Sequence, residues 1–122
     1  MPIKALHGDA AIDHTLGRLG LGVILRDHEG NMLVAKCITR KGHVEPAVVE
    51  AMAALEAIQL CRDRGYGRVH FMGDAKTVID AVNSEVPDWS RMGHLINDIR
   101  ELLQDLSLWK MSYISREHNR SG

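Results

Sequence analysis

The sequence predicts one α/β domain over residues 1–122, with a five-stranded mixed sheet flanked by about three helices. Three β-type runs separated by glycine-containing turns occupy the first third of the chain. Two later short apolar runs each follow a helical segment, which is typical of layered α/β domains. The 122 residues are 45% hydrophobic and 25% charged, which is ordinary for one globular domain.

The first half of the chain predicts a β-meander followed by a long helix. The first three predicted strands cover residues 3–12, 21–27 and 32–40. The second and third flank the turn "HEGN" and form a hairpin. Pro46 suits the first position of a helix, which is expected to continue to about Arg64 because Gly65 then stops it.

The second half predicts two further strands and two helices. A strand at 68–72, a helix at 77–82, a helix at 89–106 and a strand at 108–114 are expected. The apolar stripe of the third helix is Met92, Leu95, Ile96, Ile99, Leu102, Leu103 and Leu106. Right-handed crossovers then make the first, third, fourth and fifth strands parallel to one another.

This topology brings three acidic residues to one edge of the sheet. Asp9 is on the first strand, Glu50 is in the first turns of the first helix, and Asp74 follows the fourth strand. Open α/β sheets place their sites at such strand ends. Taken alone, Asp74 also fits the N-cap of the helix that follows it.

Three carboxylates at one edge predict a cation site. They repel one another unless a cation lies between them, and Mg²⁺ prefers oxygen ligands. Two such ions about 4 Å apart activate water and stabilise the leaving oxygen in phosphodiester hydrolysis. The pattern fits a nuclease better than a glycosidase, which needs only two carboxylates. His7 and Asp9, two residues apart on one strand, are an alternative metal pair.

Four segments resemble, in order, segments of the ribonuclease H family. The resemblance is to its plant-type form, which is also found at the end of retroelement reverse transcriptases. The four segments are "GDAA", "LGLGVILRDHEGNML", "PAVVEAMAALEAIQLCRDRGYGRVHFMGDAKTVIDAVN" and "ISREHNRSG", and they span nearly the whole chain. The resemblance implies a ribonuclease H-like fold and metal-dependent endonucleolytic hydrolysis of the RNA strand of RNA–DNA hybrids. It implies two Mg²⁺ ions, replaceable by Mn²⁺, on Asp9, Glu50 and Asp74, so that Asp74 is both cap and metal ligand.

The resemblance also bears on substrate binding and on activity. Backbone near Gly8 and Ala10, together with Asn119, is expected to contact the nucleic acid, with 2′-hydroxyl groups providing selectivity for RNA. The last segment of the family continues with an acidic residue, whereas this sequence ends at Gly122, one residue earlier. We therefore expect weak cleavage. A catalytically silent domain that binds nucleic acid or a protein, and another nuclease or an integrase of this fold, are the alternatives.

Composition restricts the partners and the compartment. The net charge is −1 and there is no basic tail, so nucleic-acid binding would use a local patch. Aromatic residues make up 4%, which argues against a base-stacking platform. Cys37 and Cys61 are expected to be buried free thiols, and no apolar run has the length of a membrane span or the features of a signal peptide. An intracellular protein without a membrane partner is expected.

Overall fold

The structure, a computed structural model, describes residues 2–13, 18–41, 46–84 and 92–114, with the side chains of 8–13, 18, 19, 40 and 46 left out. The strands are β1 (Ile3–Asp13), β2 (Arg18–Arg26), β3 (Met32–Lys41), β4 (Arg68–Gly73) and β5 (Leu108–Tyr113). The helices are α1 (Pro46–Asp63), α2 (Lys76–Asn83) and α3 (Gly93–Leu103). The predicted order of elements along the chain is confirmed.

The five strands form one mixed sheet in the order β3-β2-β1-β4-β5. The β1/β2 and β2/β3 pairs are antiparallel, and the β1/β4 and β4/β5 pairs are parallel. The connections through α1 and through α2 and α3 both move across the sheet in the same direction. Because such crossovers are right-handed, they place all three helices on one face. The ribonuclease H-like fold class predicted above is confirmed.

The core lies between this face and the helices. It is dense because α1 approaches the sheet through small residues, with Ala51, Ala53, Ala54 and Ala57 all at 0% exposure. The sheet contributes alternate residues, among them Leu25 and Phe71, both fully buried. Ile58 of α1 and Ile99 of α3 belong to the same cluster. One large cluster therefore joins all three helices to the sheet, and Leu21, Val49 and Ala53 form a second, smaller cluster.

Two element boundaries, the start of β2 and the end of α3, differ from expectation by three residues. β2 begins at Arg18 rather than at residue 21, because Arg18 is paired on both sides, with Asp13 of β1 and with Lys41 of β3. α3 ends at Leu103 rather than at residue 106, since the next three N–H groups bond to carbonyls three residues back. Leu106 is buried nonetheless. The expected start of this helix, at 89–91, lies outside the described residues.

The two cysteines have opposite environments. Cys61 of α1 is buried, as expected, whereas the expectation for Cys37 was wrong, because it is exposed on β3. On β3 the alternate residues Val34 and Ile38 pack against the core, so Cys37 lies on the opposite face of the sheet. In the part of the chain described, no helix is long and apolar enough to cross a membrane.

Candidate functional site

The carboxyl ends of β1 and β4 lie side by side. In this parallel pair His7 is the partner of Gly73, and Asp74 follows Gly73 directly. Asp9 lies two residues beyond His7 on β1, where its backbone pairs with Leu21 of β2. The backbone positions of Asp9 and Asp74 are therefore close, as parallel strand ends require.

The first turns of α1 lie over the same part of the sheet. Val49 packs in one cluster with Leu21 and Ala53, and Leu21 is the strand partner of Asp9. Glu50, the next residue after Val49, is a buried carboxylate with only 5% exposure. Three elements thus converge where the sequence predicted a site. Whether the three carboxylates themselves meet stays a prediction, because the side chain of Asp9 is outside those described.

His7 is a buried histidine at the centre of this arrangement. It is 6% exposed, and neither Nδ1 nor Nε2 has a hydrogen-bond partner in the described part of the chain. Its ring covers Gly73: a Cβ on that glycine would lie 2.5 Å from Cε1 of His7. Burial lowers the pKa of His7 from 6.5 to about 4, and the negative charge of Asp74 only partly opposes this. His7 is therefore neutral at neutral pH.

Sequence reasoning found His7 only as a metal partner for Asp9 and did not foresee this burial. The available signal was Gly73, since a glycine at the end of a buried strand often marks a close approach of another group. The approaching group comes from β1, far away in sequence, so the pair became evident only with the strand register.

Asp74 is not the N-cap of α2, so that part of the interpretation was wrong. The N-cap residue is Ala75, which has an extended backbone (φ −102°, ψ 95°) and no side-chain cap hydrogen bond. The carbonyl of Ala75 accepts hydrogen bonds from the N–H groups of Val78 and Ile79. The helix thus begins one residue later than the cap interpretation requires, and Asp74 lies between strand and helix.

The proposed substrate contacts are only partly described. Gly8 pairs with Gly22, and Ala10 is the extra residue of a β-bulge between Asp9 and Ala11. Such bulges re-aim a strand and are frequent beside active sites. Asn119 lies outside the described residues. The bulge therefore changes the direction of β1 at the residues for which nucleic-acid contacts are expected.

The donor types fit a hard divalent cation in their chemistry, since Glu50 and Asp74 carry carboxylate oxygens and belong to elements that converge at this edge of the sheet. Among the side chains that the structure describes, no three histidine, cysteine or acidic residues form a group that could hold a metal ion. A three-carboxylate site therefore requires the carboxylate of Asp9.

The fold matches several solved structures at low sequence identity. Ribonuclease H1 of the halophilic archaeon Halobacterium salinarum superposes with a TM-score of 0.82 and 20% identity, over 98% of this chain and 90% of that one. The N-terminal ribonuclease H domain of a Mycobacterium tuberculosis protein superposes with a TM-score of 0.80 and 13% identity, over 98% of this chain and 88% of that one. LC11 ribonuclease H1 was isolated from compost and solved with an RNA/DNA hybrid. It superposes with a TM-score of 0.78 and 18% identity, over 98% of this chain and 90% of that one.

Residues 7–122 match the sequence profile of the family described as reverse transcriptase-like. The chain therefore belongs to this family, and the resemblance to the ribonuclease H family is confirmed. No curated protein sequence is significantly similar to it. At these identities the structural matches define the fold, whereas the activity must be argued from the site.

Proposed function

We propose that this protein is a metal-dependent endonuclease that hydrolyses the RNA strand of RNA–DNA hybrids. The observation that carries the proposal is the convergence of the β1 and β4 ends with the first turns of α1, the elements that bear Asp9, Asp74 and Glu50. Membership of the reverse transcriptase-like family supports it, as does the fold similarity to a ribonuclease H1 solved with an RNA/DNA hybrid.

Asp9, Glu50 and Asp74 would hold two Mg²⁺ ions, for which Mn²⁺ can substitute. Bound there, such ions supply the attacking hydroxide and stabilise the leaving oxygen. The chemistry of these three side chains favours cation binding, because carboxylate oxygens are the ligands that hard divalent ions prefer. His7 lies two residues before Asp9 on β1 and is neutral at neutral pH, so it adds no positive charge to this end of the strand.

The substrate is positioned by backbone and polar groups near the same strand end. In this proposal Gly8 and the bulge at Ala10 contact the hybrid, together with Asn119, and 2′-hydroxyl contacts select RNA. In this proposal the protein is intracellular. Its domain is of the plant type that is associated with reverse transcriptases.

Metal binding is tested first, without reference to activity. Mg²⁺ at millimolar concentration should raise the melting temperature, because an ion that binds only the native state stabilises it. Asp74→Asn and Glu50→Gln should each lose this shift, whereas Asp98→Asn, an exposed position on α3, should keep it. If neither Mg²⁺ nor Mn²⁺ changes the melting temperature of the unchanged chain, the proposed metal site is contradicted.

Cleavage of a labelled RNA–DNA hybrid is the second test. We expect weak Mg²⁺-dependent cleavage that Mn²⁺ enhances. The Asp9→Asn variant is the control that measures background cleavage. Extending the chain by one Asp after Gly122 should increase the rate, since the resemblance implies an acidic residue there. If the hybrid binds but neither version cleaves it, the domain is a binding module and the enzyme proposal fails.

A further inference from the structure

The pair formed by His7 and Gly73 is the last point at which β1 and β4 are joined. The register of this parallel pair ends with His7 opposite Gly73. Asp74 follows Gly73 directly, and Asp9 lies two residues beyond His7 on β1. The position of one candidate metal ligand relative to the other is therefore set at this pair.

The imidazole of His7 is pressed against the backbone of Gly73. A Cβ on that glycine would lie 2.5 Å from Cε1, 2.9 Å from Nδ1 and 3.3 Å from Nε2 of the ring. The ring therefore fills the space that a side chain at position 73 would need. Cε1 and the two nitrogens on either side of it face the segment that leads into Asp74.

The polarity of this ring is not required for packing. His7 is 6% exposed, and neither nitrogen has a hydrogen-bond partner in the described part of the chain. A buried polar group without a partner destabilises a fold, and such a group in a native structure calls for an explanation. A phenyl ring would fill a similar space without that cost. We therefore looked for a role of the imidazole at the site that it adjoins.

Asp74 is the charged residue that adjoins the ring. It lies at the bend where β4 has ended, so strand alternation no longer directs its side chain. It is half-buried, and its negative charge acts on the ring, where it partly opposes the effect of burial on the pKa of His7. An imidazole carries at least one N–H in either protonation state, so its ability to donate to a carboxylate does not depend on its titration.

We propose that His7 is a positioning residue of the metal site, which donates an N–H hydrogen bond to the carboxylate of Asp74 when Asp74 binds the cation. The inference rests on the proposed metal site and deepens it. One carboxylate oxygen then accepts from His7, which directs the other toward the ion. Since neither nitrogen has a partner in the described chain, His7 gives up no hydrogen bond there to make this one. Such partners of metal ligands contribute about 10- to 100-fold in metal affinity.

Direct binding of the ion by a nitrogen of His7 is the competing interpretation. Two observations favour the positioning role. Among the side chains that the structure describes, which include His7, Glu50 and Asp74, no three form a group that could hold a metal ion. Mg²⁺ moreover prefers oxygen ligands, which an imidazole does not supply.

Binding of Mn²⁺ to the full chain tests the proposal without any measurement of activity. The electron paramagnetic resonance signal of free Mn²⁺ falls as the ion binds, which gives the dissociation constant. His7→Phe should bind Mn²⁺ about tenfold more weakly than the unchanged chain. Its melting temperature in a chelator should not fall, because the space stays filled and no buried nitrogen is left without a partner. A role of His7 in packing alone would leave the ion affinity unchanged.

Two amide variants provide the rescue and identify the donor nitrogen. The side-chain nitrogen of Asn lies near the position of imidazole Nδ1, and that of Gln lies near the position of Nε2. One of His7→Asn and His7→Gln should therefore recover most of the affinity that His7→Phe loses. The same two variants test the proposal if His7→Phe does not fold, since only the variant that restores the donor should bind Mn²⁺ tightly.

His70→Phe is the matched control. His70 is also a strand histidine, but it is half-buried, bonded to Ser112 at 2.9 Å and paired along the strands with Lys4 and Lys110 rather than at the strand ends. The change replaces the same ring by the same ring, three residues before Gly73 on β4. Its Mn²⁺ affinity should equal that of the unchanged chain.

The outcomes separate this inference from the proposed function. Equal Mn²⁺ affinity of His7→Phe and the unchanged chain would overturn the inference and leave the metal site intact. An equal loss in His70→Phe, or recovery of affinity by neither amide variant, would overturn it too. A nitrogen coupling in the electron spin-echo spectrum of bound Mn²⁺ that His7→Phe abolishes would make His7 a ligand instead. If the unchanged chain binds no Mn²⁺, the proposed function fails together with the inference.

Discussion

The two faces of the sheet use the same alternating strands for opposite purposes. Toward the helices, Phe71 and Leu25 are fully buried and contribute to one apolar core. The opposite face, which no described helix covers and which we call the open face, holds half-buried Met72 and exposed Lys4. Since right-handed connections place every described helix on one side, topology decides which half of each strand is buried. The other half of each strand lies outside that core.

The largest difference is expected in the reactivity of the two cysteines. Cys37 is exposed on the open face, whereas burial raises the pKa of Cys61 in α1 to about 12. Cys61 should react with a thiol reagent only through opening of the native state, at least about 10³-fold more slowly than Cys37. Absorbance after addition of Ellman's reagent measures both rates, and Cys37→Ser isolates the slow one. Equal rates would contradict the assignment of the two faces.

Truncation of neighbouring residues on β4 should separate the faces in stability. Phe71→Ala removes a fully buried ring and should cost about 3–5 kcal/mol of unfolding free energy. Met72→Ala, on the half-buried side, should cost about 1 kcal/mol or less. Urea unfolding followed by circular dichroism measures both. A larger loss for Met72 than for Phe71 would mean that the open face is covered.

The two strand histidines should differ in their effect on acid stability. The unfolded imidazole of His7 takes up a proton as pH falls below 6.5, whereas the buried ring does so only near its pKa of about 4. Stability is therefore fully present above pH 6.5 and is lost as pH falls toward 4, by roughly 3 kcal/mol. Urea unfolding at several pH values, in buffer with a chelator, measures this loss.

Valine variants give the control for this pH dependence. His7→Val should flatten the profile between pH 6.5 and pH 4. His70→Val should change it less, since His70 is half-buried beside Ser112 on the open face. A slope that persists in His7→Val would assign the acid sensitivity to other groups.

The smallest effect concerns the contact between His7 and Gly73. Gly73→Ala places a methyl group 2.5 Å from Cε1 of the ring and should cost about 1–3 kcal/mol. In a His7→Ala background the same change should cost much less, because the clashing ring is absent. Gly67→Ala is a suitable comparison, since its nearest neighbour is the Oγ of Ser107 at 3.0 Å, an exposed group that can move. Equal costs in both backgrounds would show that the contact with the His7 ring does not cause the loss of stability.

Local patterns were sufficient to predict most of the fold. The 18 residues of α1 begin at Pro46 and end before Gly65, as the turn residues indicated. The chain order of strands and helices, together with the handedness of crossovers, then predicted the sheet. The predictions failed where residues far away in the sequence determine the local structure. β2 starts early because β1 and β3 both pair with Arg18, and Cys37 is exposed because the helices lie on the other side.

The candidate site was predictable at the level of elements but not of side chains. The backbone positions of Asp9, Glu50 and Asp74 converge as expected from strand ends and a helix start. The cap interpretation of Asp74 failed because one extended residue, Ala75, delays the helix. The buried state of His7 depends on the β1/β4 register, which joins residues far apart in sequence and has no local pattern.

The central position of β1 has a consequence for synthesis on the ribosome. This strand emerges before the other four, and β2 and β3 follow soon enough to complete a meander with it. Its other edge must wait for β4, since Ile3 pairs with Val69. During that interval a partly apolar strand offers unpaired N–H and C=O groups to any other nascent chain, a condition that favours aggregation. Synthesis of α1 and β4 closes that edge, so pausing between β3 and β4 would prolong the hazard.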